Sequence, residues 1–328
     1  MSDFGLLDLK ILDKEVMLEA VKLFPKPEGF MGEKLFPSRP TASNIAVWDV
    51  ILGYYGKASY IVKGSEAKQI AQSPIARQIQ EVAYKKEKIF LDANDIRWRR
   101  QPGSENFDTI ESEIAREQEH LSIRLDVTNE YETWKCLRGT LSYTLDNGST
   151  ISIDYGIPAS NKITITVADD KWSNTSAKIL AQLRAYKQLC KGVNPTLLIV
   201  SPQVMDYLIS NAQVQEYCKT QLGSEIAKEG KITRLAGLEV IEYNGGWTDE
   251  NGTWHKFLDD KEAFIVPSVC GERLVASCKE ADWKGQRFLY SWEENKDRQG
   301  TWILGGEYSL PALRNPYGVV NLVNVAPT

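Results

Sequence analysis

Apolar positions recur at helical spacing from about Lys14 to Phe24, where Val16, Met17, Ala20, Val21 and Phe24 follow Asp13, a candidate N-cap, and Pro25 stops the run. The next stretch, to Pro40, holds four prolines and the apolar side chains Phe30, Met31, Leu35 and Phe36. Proline disfavours both helix and central strand, so this pattern predicts an extended arm lying across another surface, in cis or in trans. Ile45–Leu52 and Ser59–Val62 read as strands, and Ala83–Phe90 as a strand with a charged middle, Lys85-Lys86-Glu87-Lys88. Long strands with charged centres predict a projecting hairpin that cannot bury both faces in its own domain.

From about Asn106 to Leu137, Phe107, Ile110, Ile114, Leu121, Leu125, Tyr131 and Trp134 mark one apolar stripe on a charged helix. At 1.5 Å per residue such a helix extends roughly 45 Å, long for a globular domain. Alternating Leu141, Tyr143, Leu145 and Ile151, Ile153, Tyr155 flank Asp146-Asn147-Gly148, a strong hairpin signal. A strand over Lys162–Val167 follows, then a helix over Thr175–Lys191, a buried strand over Thr196–Val200 and a capped helix starting at Ser201-Pro202. Strands are predicted at Leu238–Tyr243, Trp254–Leu258, Ala263–Val266, Trp302–Leu304 and Val319–Val325. Helices and strands mixed without regular alternation give an α+β fold class.

Composition narrows the chemistry. The 328 residues are 42% hydrophobic and 25% charged, with 39 Lys+Arg against 44 Asp+Glu, which excludes a disordered chain and argues against a basic nucleic-acid-coating surface. No apolar run approaches the roughly 18 residues needed to span a bilayer, and the N-terminus lacks a signal-peptide pattern. Five cysteines at wide spacings, without a Cys-x-x-Cys pair, point to free thiols and not to a zinc site or disulfide framework. The chain has no phosphate-binding glycine loop, nucleophile elbow or His-Glu-x-x-His motif. Its two histidines, His120 and His255, are general-base candidates without a nucleophile beside them in sequence. Arg97-Trp98-Arg99-Arg100 is the one basic and aromatic cluster; it suits either interfacial ion pairs or phosphate contact and base stacking.

An apolar arm, a charged hairpin and an overlong helix are explained together if the partners are other copies of the chain. The sequence also resembles the major capsid proteins of lambda-like tailed phages, the E family. Tyr243-Asn244-Gly245-Gly246-Trp247-Thr248-Asp249-Glu250-Asn251-Gly252 with Phe257-Leu258-Asp259-Asp260 is similar to a turn of that family. Leu310-Pro311-Ala312-Leu313 with Asn315-Pro316-Tyr317 is similar to its ending, and Lys86-Glu87-Lys88, Leu91-Asp92, Trp172-Ser173 and Leu197–Pro202 fall in its order.

The resemblance implies a Hong Kong 97-type capsid fold. Residues 1–42 would be an N-terminal arm, 43–98 an extended loop, 99–200 a peripheral domain with a spine helix, 201–302 an axial domain, and 303–328 a return strand. It implies a non-enzymatic head protein that assembles with itself as pentamers and hexamers into an icosahedral shell around double-stranded DNA, bound without sequence specificity. Scaffold protein and portal would be partners during assembly in the host cytoplasm, with a decoration protein as an optional further partner; no cofactor, metal or membrane is implied. Interface candidates are Phe30, Phe36, Lys86, Glu87, Lys88, Arg97, Trp98, Arg99, Arg100, Trp247 and Asn251. The competing expectations are an encapsulin-like compartment, a tail-tube subunit, and a cytosolic hydrolase using His255 with Asp259 or Asp260.

Overall fold

The structure, a computed structural model, describes residues 13–51, 60, 66, 75–92, 110–217, 230–294 and 300–326. Its longest strand, β16 (Gly300–Leu313), organises a five-stranded sheet. β4 (Ala83–Asp92) pairs antiparallel with it from Gly300↔Asp92 to Ser309↔Ala83. β15 (Phe288–Glu294) pairs along Gly300–Gly306, and β14 (Gly271–Ala276) along Ser309–Leu313. β1 (Ser38–Thr41) then adds parallel to β14. Gly306 permits the close stacking of this sheet, because a Cβ there would lie 2.5 Å from the Phe288 ring.

Helix α3 (Ile110–Leu137) lies on the five-stranded sheet and extends about 42 Å at 1.5 Å per residue. Ile114, Leu121, Leu125 and Trp134 are buried along its predicted apolar stripe. Glu113, Gln118, Ser122, Glu130, Glu132 and Thr133 are buried as well, so a second, polar stripe also faces inward. α1 (Lys14–Leu23) packs on β15 and α3 through the fully buried Met17. The one-turn α2 (Gly32–Leu35) docks its N-terminus on Glu130, whose carboxylate accepts from the N–H of Met31 at 3.0 Å and of Gly32 at 2.6 Å. Gly32 is sterically required, since its Cβ would fall 2.7 Å from that carboxylate.

A six-stranded sheet runs in the order β7 (Lys162–Thr164), β17 (Val320–Val323), β13 (Glu262–Val266), β8 (Leu197–Val200), β10 (Leu238–Glu242) and β9 (Arg234–Leu235). Leu198, Val200, Ala263 and Ile265 face a core shared with α4 (Ile179–Lys187), α5 (Pro202–Ser210) and α6 (Ala212–Tyr217). Leu197, Ile199, Phe264 and Val266 face the other way, into a core with Trp134 and Tyr243. Burial on both faces accounts for the continuous apolar reading of β8. Three two-stranded hairpins complete the described fold: β2 (Ile45–Ile51) with β3 (Ile75–Glu81), β5 (Thr140–Thr144) with β6 (Thr150–Asp154), and β11 (Gly246–Thr248) with β12 (Trp254–Lys256).

Two expectations need correction, and one left open is decided. The charged strand at 83–92 does not project: it is a full member of the five-stranded sheet, because partners distant in sequence neutralise its lysines. Of the two placements left open for the proline-rich stretch, the described residues take the one in cis, with Leu35 and Phe36 fully buried and β1 hydrogen-bonded into the sheet. The helix expected from Thr175 starts at Ile179, because Asn174 Oδ1 accepts from Ser176 N at 3.0 Å and Asn211 Nδ2 donates to the carbonyls of Thr175 and Ala177, at 3.1 and 3.0 Å. The strand expected at Ser59–Val62 falls mainly outside the described residues.

Candidate functional site

The hairpin β2–β3 carries apolar side chains on both faces. Its alternation sends Ala46, Trp48 and Val50 inward, where all are buried, with the Trp48 ring centroid 6.1 Å from that of Tyr155. The opposite face carries Val47 directly across from Ile79, with Ile45 one pleat along. These side chains remain exposed, Ile45 at 44%, Val47 at 48% and Ile79 at 63%, too much apolar surface for a strand pair that is otherwise folded. Asp49 and Arg77, also opposite each other, close that face with an ion pair at 3.2 Å. Tyr84, exposed beside the hairpin, donates to Glu81 Oε1 at 3.2 Å and stacks edge-on against Tyr308.

Charge is handled differently inside. Between α3 and the five-stranded sheet lie three cations and three carboxylates, all largely buried. Arg273 donates to Glu132 Oε2 at 2.6 Å, to the Asn129 carbonyl at 2.6 Å and to Thr133 Oγ1 at 3.1 Å. Lys85 Nζ donates to Asn129 Oδ1, Glu132 Oε2 and Ser309 Oγ at 2.6, 2.9 and 2.8 Å. Arg287 bridges Asp126 at 2.6 Å and Glu307 at 3.0 Å. Burial alone would push the Glu307 carboxyl up, but the charges of Arg287, Lys85 and Arg273 hold it down at about 2. For Lys85 burial wins: its ammonium is held below the usual lysine range despite Glu132. Such a network is directional, fixing the register of helix on sheet alongside the apolar seam that Ile114 and Leu121 make with Leu289 and Ile303.

Another buried carboxylate, Glu130, is held by neutral donors. Besides the two α2 amides it accepts from Trp134 Nε1 at 2.9 Å and Tyr243 OH at 2.7 Å, joining arm, helix and β10 at one point. Burial, then the Glu130 charge, pushes the Tyr243 phenol well above its ordinary range, so it stays a donor.

The residues singled out by sequence do not converge on one place. Phe36 is fully buried, and Phe30 is half-buried edge-on against Phe257 at 5.7 Å. Lys86 pairs with Glu280 at 2.8 Å, Glu87 with Arg124, and Lys88 lies 4.2 Å over the Trp302 ring. Trp247 stacks on His255 at 4.8 Å and meets Tyr131 edge-on. Asn251 sits exposed in the β11–β12 turn, its N–H donating to Asp249 Oδ1 at 2.9 Å. Arg97, Trp98, Arg99 and Arg100 lie outside the described residues. Ile79 was not singled out by sequence; its only signal is that Arg77, Ile79 and Glu81 share one strand face.

The hydrolase expectation needs correction in its pairing. His255 Nε2 is 3.0 Å from Asp249, not from Asp259 or Asp260. Asp260 is bonded to Lys256 at 2.6 Å, and Asp259 accepts the Lys261 amide at 3.0 Å. Buried Cys136 and Cys270 have thiols pushed up by burial, the opposite of an activated nucleophile.

The arrangement of long helix, two sheets and side hairpins recurs in solved capsid structures. The protein assigned as the capsid protein of an E. coli CFT073 prophage superposes with a TM-score of 0.67 at 16% identity, over 96% of this chain and 99% of that one. A phage-related protein from Bordetella bronchiseptica RB50 gives 0.61 at 13% identity, over 96% and 98%. The mature capsid of bacteriophage PhiM1 gives 0.53 at 12% identity, over 90% and 86%. No curated protein sequence matches the chain. The fold is therefore that of Hong Kong 97-type capsid proteins, α+β in class.

A family profile described as phage major capsid protein E matches residues 13–324, nearly the whole chain. The chain belongs to that family, and the protein is a capsid shell protein of the virion.

Proposed function

We propose that this subunit assembles with itself as pentamers and hexamers into the icosahedral head that encloses double-stranded phage DNA. Scaffold and portal take part in closure in the host cytoplasm, and a decoration protein is an optional later addition. The work is mechanical, not catalytic. An acidic shell subunit, formal net charge -5, suits a container that must not grip its anionic cargo. In this reading 1–42 is the arm, 43–98 the extended loop, 99–200 the peripheral domain with α3 as spine, 201–302 the axial domain, and 303–328 the return to the peripheral domain.

The observation that carries the reading is the two-faced hairpin β2–β3. Its inner face completes the subunit's own core, and its outer face, Ile45, Val47 and Ile79, is left for a neighbour. Trp247 and Asn251 on the β11–β12 hairpin, and the Arg97–Arg100 cluster, are further contact candidates. Electron microscopy of the protein expressed with its scaffold tests this: closed shells of phage-head size are expected. Stacked rings would instead assign a tail tube, and shells that close around protein cargo without DNA a compartment.

A further inference from the structure

The turn between β14 and β15 holds two successive residues in the left-handed region, Asp282 at φ +53° and Trp283 at φ +57°. An aspartate tolerates that region, but a bulky aromatic residue is an outlier there, and glycine or asparagine would follow the same backbone with less strain. The backbone itself is firmly held. Trp283 N donates to the Cys278 carbonyl at 2.8 Å, Lys284 N to that of Ala281 at 3.0 Å, and Asp282 is ion-paired with Lys14 at the start of α1. None of these contacts uses the indole. Trp283 is 72% exposed, and among the described residues no hydrogen bond or neighbouring ring engages its side chain. The subunit therefore bears the strain of a tryptophan at this position without gaining burial from it, the kind of local outlier that marks a working site.

The surroundings of the ring add an independent sign. Lys279, Asp282 and Lys284, all exposed in the same turn, set charges of both signs beside one large apolar side chain, which is the anatomy of an interface centre with its polar rim. The turn is also tied to the surface assigned above to a neighbour. Glu280 Oε1 accepts from Lys86 Nζ at 2.8 Å and from Tyr308 OH at 3.2 Å. Tyr308 in turn meets Tyr84 edge-on at 4.7 Å, and Tyr84 donates to Glu81, which lies opposite Ile45 on the hairpin.

We propose that Trp283 is an assembly anchor, its indole buried on shell formation against a second copy of the chain, in the contact that also closes the outer face of β2–β3. Tryptophan suits the role because a single ring buries a large apolar area with few rotamers to fix. A second copy is the occupant because the chain belongs to a family of shell proteins, and because Glu280, Tyr308 and Tyr84 link the turn to the hairpin face left for a neighbour. The inference rests on the capsid reading and adds to it a named contact residue outside the hairpin.

The test measures the denaturant midpoint of dispersed subunits and the critical concentration for shell formation with scaffold, for Trp283→Asn and Trp283→Phe. Trp283→Asn suits the left-handed backbone but removes the ring. Its subunit midpoint is expected to stay level or rise, while the critical concentration rises more than about tenfold. Trp283→Phe keeps an apolar ring, so its critical concentration should fall between those of wild type and Trp283→Asn. Hydroxyl-radical oxidation of Trp283 in the wild-type protein is the second readout, expected to drop from subunits to shells assembled without a decoration protein. A wild-type critical concentration for Trp283→Asn, a matching loss of subunit stability, or equal oxidation in both states would overturn the anchor and leave the capsid reading intact. Full protection of Trp283 in unassembled subunits mixed with scaffold would overturn it in favour of a scaffold contact. Failure of the wild-type protein to form shells with its scaffold would overturn both.

Discussion

The hairpins β5–β6 and β2–β3 have the same two-stranded architecture and opposite surfaces. In β5–β6, Leu141 and Ile153 face each other and are buried, while Thr140, Ser142 and Thr144 meet solvent. That hairpin is finished within one subunit. In β2–β3 the inner row is equally buried, but the outer row is Ile45, Val47 and Ile79. Both hairpins pay for their inner faces in cis, and only one keeps an apolar face to spend on a neighbour. The contrast separates residues that make the subunit fold from residues that make it assemble.

The largest expected effect breaks assembly without touching the fold. Val47→Lys with Ile79→Glu, opposite charges across the strand pair, should abolish shells seen by sedimentation, because two charges enter a contact that must be dry. Subunit stability should shift by less than about 0.5 kcal/mol, as for other surface substitutions. Matching losses of both would erase the distinction between the hairpins. Arg287→Met should do the reverse, lowering the urea-unfolding free energy of dispersed subunits by about 3–5 kcal/mol, since Asp126 and Glu307 would be left buried without their cation.

Acid offers a third lever. Glu307 has an ordinary value of 4.5 and is held down at about 2 in the fold, so the unfolded chain takes up its proton first as pH falls. Its contribution is complete above pH 4.5 and is lost as pH falls toward 2, on the order of 3 kcal/mol in all. Glu307→Gln should flatten the acid limb of a stability–pH profile; an unchanged limb would remove Glu307 from the account. The smallest effect sharpens the hairpin comparison directly. Ile153→Val in β5–β6 should cost about 1 kcal/mol of subunit stability, whereas Val47→Ala in β2–β3 should cost less than about 0.5 kcal/mol in the subunit. Denaturant midpoints of the two single variants suffice.

Much of the architecture was legible because its signals are local. Asp146-Asn147-Gly148 predicts the β5–β6 turn, and Gly148 adopts φ +81° there. Ser201-Pro202 predicts the start of α5, where the Ser201 hydroxyl accepts from Val204 N at 3.2 Å. The run at 45–52, apolar at every position but Asp49, already held both faces of β2. What misled was charge whose partner lies far along the chain. Lys85 looks solvent-bound in sequence, yet it meets Glu132 and Ser309, 47 and 224 residues away. The buried polar stripe of α3 was hidden for the same reason: Gln118, Glu130 and Glu132 carry no mark that separates them from the exposed charges of the same helix. That the Trp48 indole N–H has no partner among the described residues is invisible to any pattern of residue types, because only tertiary packing decides whether a donor finds an acceptor.

The central claim, that the outer face of β2–β3 is closed by another subunit, is tested most directly by hydroxyl-radical footprinting of dispersed and assembled protein. The account predicts that oxidation of Ile45, Val47 and Ile79 falls sharply on assembly while buried Leu141 and Ile153 stay protected in both states. Equal oxidation of those three outer side chains in free subunits and closed shells would contradict it.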